Sequence, residues 1–177
     1  MSARPVYSPQ ERLRRDSSPW TLVQGILAIV QLVIFCASLG LVAHYLLYGT
    51  GLLAADISVV VKTAALYTIM ITGSVWEKQV FGRWLFAPSF FWEDAVSMVV
   101  IALHTAYLVM LLGGLGGAEE RLWVALAGYA FYLVNAGQFL RKLRVARSEA
   151  RTQASTEAHT QAHTQAHTGT PSTAVAA

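Results

Sequence analysis

Charged residues are scarce in this sequence: Asp, Glu, Lys and Arg make up 13% of its 177 residues, against about 25% in soluble domains. That deficit argues for a chain that lives in lipid rather than in water. Cysteine is nearly absent. Cys36 stands alone inside an apolar run, which excludes an internal disulfide and a cysteine-built metal centre within one chain. The pattern of a cleavable signal peptide is also missing, because the first eighteen residues are polar and the apolar run behind them is too long. No basic face or nucleic-acid fold pattern occurs, so nucleic acid is not an expected partner.

What the chain has in quantity is apolar length. Hydrophobic residues make up 55% of it and the mean hydropathy is +0.47. Four stretches, at about residues 20–47, 57–75, 95–112 and 122–140, reach the ~20 residues needed to cross a bilayer as helices. Gly49 and Gly51 break the first connection, and Gly113, Gly114, Gly116 and Gly117 break the third. Pro88 and Ser89 mark a helix start, so the third helix is expected to begin ahead of its membrane segment. The predicted fold is an all-α integral membrane protein with four transmembrane helices and an amphipathic aromatic cytoplasmic segment between helices 2 and 3.

The sidedness follows from where the cations fall. An even number of spans puts both termini on one side, together with Lys78 and Arg83. That side then holds eleven of the thirteen Lys and Arg residues, so the positive-inside rule makes it cytoplasmic. In this scheme residues 1–19 form a basic cytoplasmic segment and 20–144 the four-helix membrane domain. Residues 145–177 form a low-complexity tail of Thr-Gln-Ala-His repeats. His159, His163 and His167 are four apart and would share a helix face able to bind a transition metal. Thr-rich repeats without apolar content rarely fold, however, and the tail is expected to be disordered and dispensable.

Residues 76–94, WEKQVFGRWLFAPSFFWED, are too aromatic and too charged for a connector. They hold seven aromatics, two bases and three acids in nineteen positions. A plain loop is small and polar, and a plain span avoids charge. Trp76, Trp84 and Trp92, spaced by eight, suit an interfacial aromatic belt. Phe81, Phe86, Phe90 and Phe91 between the charges point further, to a surface that receives a flat apolar molecule beside acid–base groups. Partial burial of Glu77, Glu93 or Asp94 would let a carboxyl act as a general acid. Lys78 and Arg83 would either pair with these carboxyls or hold a carboxylate of the ligand.

Helical phasing links this segment to the third span. Glu93 and His104, eleven residues apart, fall about 20° off one face, with Ser97, Val100 and Tyr107 near the same stripe. Such a stripe should face the bundle interior, either to hydrogen-bond neighbouring helices or to serve a site. His104 is a candidate for either. Gln24, Gln31 and Ser38, at seven-residue spacing with Tyr45 continuing the register, read as an interhelical hydrogen-bonding seam. Lys62 is expected to snorkel to the non-cytoplasmic interface, with Asp56 close enough to help satisfy it. Tyr129, Tyr132, Asn135 and Gln138 offer further polar groups on the fourth span.

Three stretches carry a family resemblance: YSPQERLRRDSSPWTLVQGILA, the run SVVVKTAALYTIMITGSVWEKQVFGRWLFAPSFFWEDAVSMVVIALHTAYL, and the fourth span. From about residue 7 to 144 the chain resembles the 3-vinyl (bacterio)chlorophyllide hydratases of bacteriochlorophyll biosynthesis; the repeat tail lies outside the likeness. The resemblance implies a hydro-lyase that adds water to the 3-vinyl group of a chlorophyllide or 3-vinyl bacteriochlorophyllide, giving a 3-(1-hydroxyethyl) product. It implies no cofactor and no protein-bound metal, the magnesium being the substrate's own. It also implies a photosynthetic bacterium's inner membrane, with both termini cytoplasmic, and company from lipid and other enzymes of the pathway. It supplies no catalytic residues. From the residues alone the candidates are Glu77, Glu93, Asp94 and His104 for catalysis. Lys78, Arg83, Trp76, Trp84, Phe90, Phe91, Trp92 and Tyr107 are the candidates for binding, with His104 alternatively a ligand to the substrate's magnesium. A non-catalytic pigment-handling or assembly protein is the rival class, and a small transporter a weaker one.

Overall fold

The computed structural model describes residues 6–168, apart from the side chains of 153, 157–160 and 162–168. All its regular structure is helical. The order is α1 (Pro9–Ser17), α2 (Pro19–Tyr48), α3 (Leu52–Phe81), α4 (Phe91–Gly113) and α5 (Ala118–Thr168). Helices α2, α3 and α4 are each long and apolar enough to cross a membrane. Two compact units divide the described residues: Tyr7–Phe139, which holds every candidate site residue, and a second that contains Val6 and residues 140–168. In the second unit the Val6 amide donates to the Glu149 carboxylate at 3.2 Å.

Helix α1 was not expected, although its signal is in the sequence. Ser8 and Glu11 form a reciprocal capping box and Pro9 sits in the first turn, a pattern that nucleates a helix at that point. The link between α2 and α3 is only Gly49, Thr50 and Gly51, and both glycines are left-handed at φ 71° and 86°. Few other residues adopt that geometry cheaply. Beyond the fourth apolar stretch, α5 stays helical to Thr168, through residues whose composition led us to expect disorder. Their Ala, Gln and Glu content favours helix, and extending an existing helix carries no nucleation cost. The side chains of His159, His163 and His167 lie outside the described residues.

The seam on α2 joins it to α3. Gln24 donates to Thr72 at 2.8 Å, Gln31 receives the Lys62 ammonium, and Ser38 bonds Ser58 at 2.7 Å and the Tyr129 hydroxyl at 2.5 Å. Where lipid offers no partner, such bonds fix helix register. Around them Phe35, Val42, Ala55, Val59, Tyr107, Leu122, Ala125 and Tyr129 form the apolar core.

Lys62 departs from expectation. It is fully buried, and its ammonium lies 3.6 Å from the Tyr132 ring centroid. Asp56 pairs instead with Arg121 at 2.7 Å and accepts from the Tyr107 hydroxyl at 2.7 Å. The reason is phase: six residues turn a helix by about 240°, so Asp56 and Lys62 leave α3 on faces about 120° apart. The Asp56–Arg121 pair is mostly removed from solvent, with side chains 12% and 15% exposed. Arg121→Met should therefore strand a buried carboxylate and cost about 3 kcal/mol or more, while Tyr107→Phe should cost about 1 kcal/mol. Thermal unfolding in detergent reads both, and Asp56→Leu with Arg121→Met should regain most of the loss. An Arg121→Met midpoint equal to that of the parent protein would show that the pair does not hold these helices.

Candidate active site

The loop between α3 and α4 is held by two carboxyl groups. Glu77, in the last turn of α3, accepts from the Ala87 amide at 3.1 Å. Asp94, in the first turn of α4, accepts from the Phe86 amide at 2.7 Å. The donors are consecutive, so both carboxyls come to one stretch of backbone, made concave by Phe86 in the left-handed region at φ 58°. A non-glycine residue there costs about 1–3 kcal/mol, which the two hydrogen bonds help offset. Glu77, Glu93 and Asp94 are all buried, at 5%, 6% and 5% exposure. For Asp94 and Glu93, a place in the first turn of α4 also puts negative charge at the favourable end of the helix dipole.

The loop aromatics divide into two sets. Trp76, Phe81 and Phe90 turn inward and meet edge-on or tilted at 5.5–5.8 Å. Tyr7 stacks on Phe81 at 5.8 Å and Phe139 lies 6.1 Å from Phe90. The Trp76 indole donates to Thr21 at 2.9 Å, and Arg15 lies 4.6 Å from the Tyr7 ring centroid, so the N-terminal helix is part of the site's support. Burial raises the Tyr7 hydroxyl above its ordinary pKa, against the pull of Arg15. Trp84, Phe86, Phe91 and Trp92 face outward. Lys78 and Arg83 are exposed; Lys78 donates to the Gly82 carbonyl at 3.0 Å and lies 5.9 Å from Trp84.

The stripe on α4 faces inward as phasing predicts: Glu93, Val100, His104 and Tyr107 are buried. Its members do not form one cluster. Tyr107 lies about 21 Å along the axis from Glu93, at 1.5 Å per residue, and is engaged by Asp56. His104, about 16 Å along, is fully buried. Its Nδ1 donates to the Val100 carbonyl at 2.8 Å, so in the neutral ring Nε2 is the acceptor. Nε2 has no hydrogen-bond partner among the described residues. Tyr129 lies 5.6 Å away ring to ring. Gly128 is pressed so close that a Cβ there would meet His104 Cε1 at 2.7 Å and Nδ1 at 2.8 Å.

Two residues of this inner layer were not in the candidate site: Gln31, read as part of the seam, and Lys62, read as a snorkelling side chain. Gly128 carried no sequence signal at all. A glycine within an apolar helix identifies its neighbour only once the packing is known.

These features define a class: a helical protein with helices long and apolar enough to cross a membrane, two buried carboxyls bonded to the backbone of an aromatic loop, and a buried imidazole. Within that class the chain belongs to the 2-vinyl bacteriochlorophyllide hydratase family, whose model matches residues 7–145. It is 56% identical over 149 residues to a 2-vinyl bacteriochlorophyllide hydratase of Rhodobacter capsulatus, covering 84% of this chain and 86% of that one. It is 57% identical over 144 residues to one of Cereibacter sphaeroides, covering 81% and 89%. These names place the vinyl group at position 2, where the sequence resemblance placed it at position 3. The group and the reaction class are the same. No solved structure matches the chain.

The close approach of Gly128 makes a direct test of the imidazole's setting. Gly128→Ala should push His104 off the Val100 carbonyl and cost about 1–3 kcal/mol. Gly40→Ala, with nothing within 4 Å of its Cβ, should be neutral or stabilising. Equal unfolding midpoints for Gly128→Ala and the parent would show that the packing around His104 is looser than described.

Proposed function

We propose that the chain is a membrane hydro-lyase that adds water across the vinyl group of a chlorophyllide-type macrocycle in bacteriochlorophyll biosynthesis. The observation that carries this reading is family membership over residues 7–145 together with buried carboxyls under an aromatic loop. In the reaction the vinyl π pair takes a proton at the terminal carbon, and positive charge develops at the carbon attached to the ring. Water oxygen bonds to that carbon and then releases a proton, leaving a 1-hydroxyethyl group. The macrocycle delocalises the developing charge, and an adjacent carboxylate stabilises it electrostatically.

Residues of the loop end and of α4 divide these steps. Glu77 or Glu93 gives the proton. Asp94 or His104 handles the water. Trp84, Phe86, Phe91 and Trp92 offer aromatic faces to the ring, while Lys78 and Arg83 can take its propionate. Trp76 and Phe90 act from beneath, as part of the inward set. For His104 we assign water rather than the substrate's magnesium. The ring lies fully buried between Gly128 and Tyr129, and a rigid macrocycle would have to part helices to reach it.

The finer architecture belongs to the same proposal. The apolar part of α5 completes a four-span bundle. Both termini and the aromatic loop face the cytoplasm, in the inner membrane of a photosynthetic bacterium with lipid and other pathway enzymes as neighbours. The family match stops at residue 145, which supports placing the repeat tail outside the catalytic domain.

Expression in a host supplied with chlorophyllide should yield a pigment heavier by one water. Glu77→Gln, Glu93→Gln, Asp94→Asn and His104→Gln preserve shape, and loss of the general acid should slow turnover by about 10²–10⁴-fold. Glutamine at 77 can still accept from the Ala87 amide, so a folded but slow protein would separate chemistry from loop clamping. Normal turnover in all four would sink the residue assignment. Pigment bound without gain of water would favour the pigment-handling class.

A further inference from the structure

Four buried polar atoms inside the Tyr7–Phe139 unit lack a hydrogen-bond partner among the described residues: Gln31 Nε2, His104 Nε2, Asn135 Oδ1 and Gln138 Oε1. Leaving such a group unsatisfied costs about 1–3 kcal/mol, and a bound water or ion is one way native structures avoid that cost. Their chemistry narrows what that species is. Gln31 Nε2 can only donate. His104 Nε2 can only accept, because Nδ1 is the protonated nitrogen. Asn135 Oδ1 accepts while its amide nitrogen donates to Ser97 at 2.8 Å, and Gln138 Oε1 accepts. An anion would meet three acceptors. A cation would share a layer with the buried Lys62, whose ammonium is held by Gln31. No group of three His, Cys, Asp or Glu residues gathers among the described residues to hold a metal ion. Water donates and accepts, and it alone suits the whole set.

The positions form a sequence in space as well as a set. Gln138 is next to Phe139, whose ring lies 6.1 Å from Phe90 of the aromatic loop. Asn135 follows one turn deeper, about 4.5 Å along α5, and Gly128, against which His104 is packed, about 10 Å beyond that. Gln31 holds Lys62, whose ammonium lies on the Tyr132 ring, and Phe35 packs against both Tyr132 and Tyr129, the latter facing His104. We infer that the bundle interior binds water at His104 and Gln31, and that this water is passed by Asn135 and Gln138 to the carboxyl end, where it is consumed. The destination rests on the hydratase reading; the binding site does not. A route through the interior lets water reach the vinyl carbon while the macrocycle covers the outward aromatics.

Water-edited solid-state NMR of the full chain in lipid bilayers, uniformly labelled with ¹⁵N, tests the site directly. The His104 signal is identified by its loss in His104→Gln. Fast polarisation transfer from water to His104 and to the Gln31 side chain is expected, and Gln31→Leu should slow the transfer to His104 several-fold. Transfer as slow as that to the amide of Val59, buried in the apolar core, would overturn the site. Asn135→Leu should lower the turnover number several-fold with the pigment KM unchanged, and unchanged turnover would overturn the supply role. Fast transfer in a protein that never hydrates pigment would refute the hydratase reading and leave the water site standing.

Discussion

The acceptance of two adjacent loop amides by Glu77 and Asp94 governs the rest of the site. These bonds tie the end of α3 to the start of α4 and hold Phe86 in a conformation its side chain disfavours. That turn sends Phe90 inward, against Trp76 and Phe81, and leaves Trp84, Phe86, Phe91 and Trp92 facing out. It also leaves the carboxyls of Glu77, Glu93 and Asp94 buried while the outward aromatics stay exposed. The same groups therefore shape the loop and stand where the proposed proton transfer would occur. Chemistry and architecture are separable here only by substitutions that keep the acceptor and remove the acid.

A second constraint operates inside the bundle. An apolar environment gives polar side chains no alternative to one another, so each must find a partner on a neighbouring helix. Gln24 with Thr72, Ser38 with Ser58 and Tyr129, and Asp56 with Arg121 and Tyr107 meet that requirement in full. The layer of Lys62, Gln31 and His104 meets it only in part. Lys62 is accommodated by Gln31 and the Tyr132 ring, while His104 is kept in one tautomer with its second nitrogen unused by protein. Together with Asn135 and Gln138 on α5, this layer holds the buried polar atoms left without a protein partner among the described residues.

The two ends of the Tyr7–Phe139 unit differ in kind. At the loop end, buried acids meet aromatic rings and exposed cations, an arrangement suited to a large amphiphile with a carboxylate. At the far end, Asp56, Arg121 and Tyr107 form a compact neutralised group that holds α3, α4 and α5 in register. Tyr107 belongs to this second group, although its phase on α4 is the same as that of the candidate acids.

Much of this was legible in the chain. Low charge and long apolar runs dictate helices, because only intrahelical bonding satisfies a backbone in lipid. Glycines 49 and 51 announce the tight turn, the seven-residue spacing on α2 announces an interhelical seam, and phasing turns Glu93, Val100, His104 and Tyr107 inward. The capping box at Ser8 and Glu11 was equally legible and marks α1. Periodicity fixes the face a residue occupies but not its depth or its partner. The sequence therefore determined which helices form and which faces they bury. Only the tertiary structure decided that Asp56 meets Arg121 rather than Lys62, that Gly128 fits His104, and that Glu77 and Asp94 close on the same loop. Each of those depends on which atoms from separate helices arrive at one point, and no spacing along a single helix contains that distance.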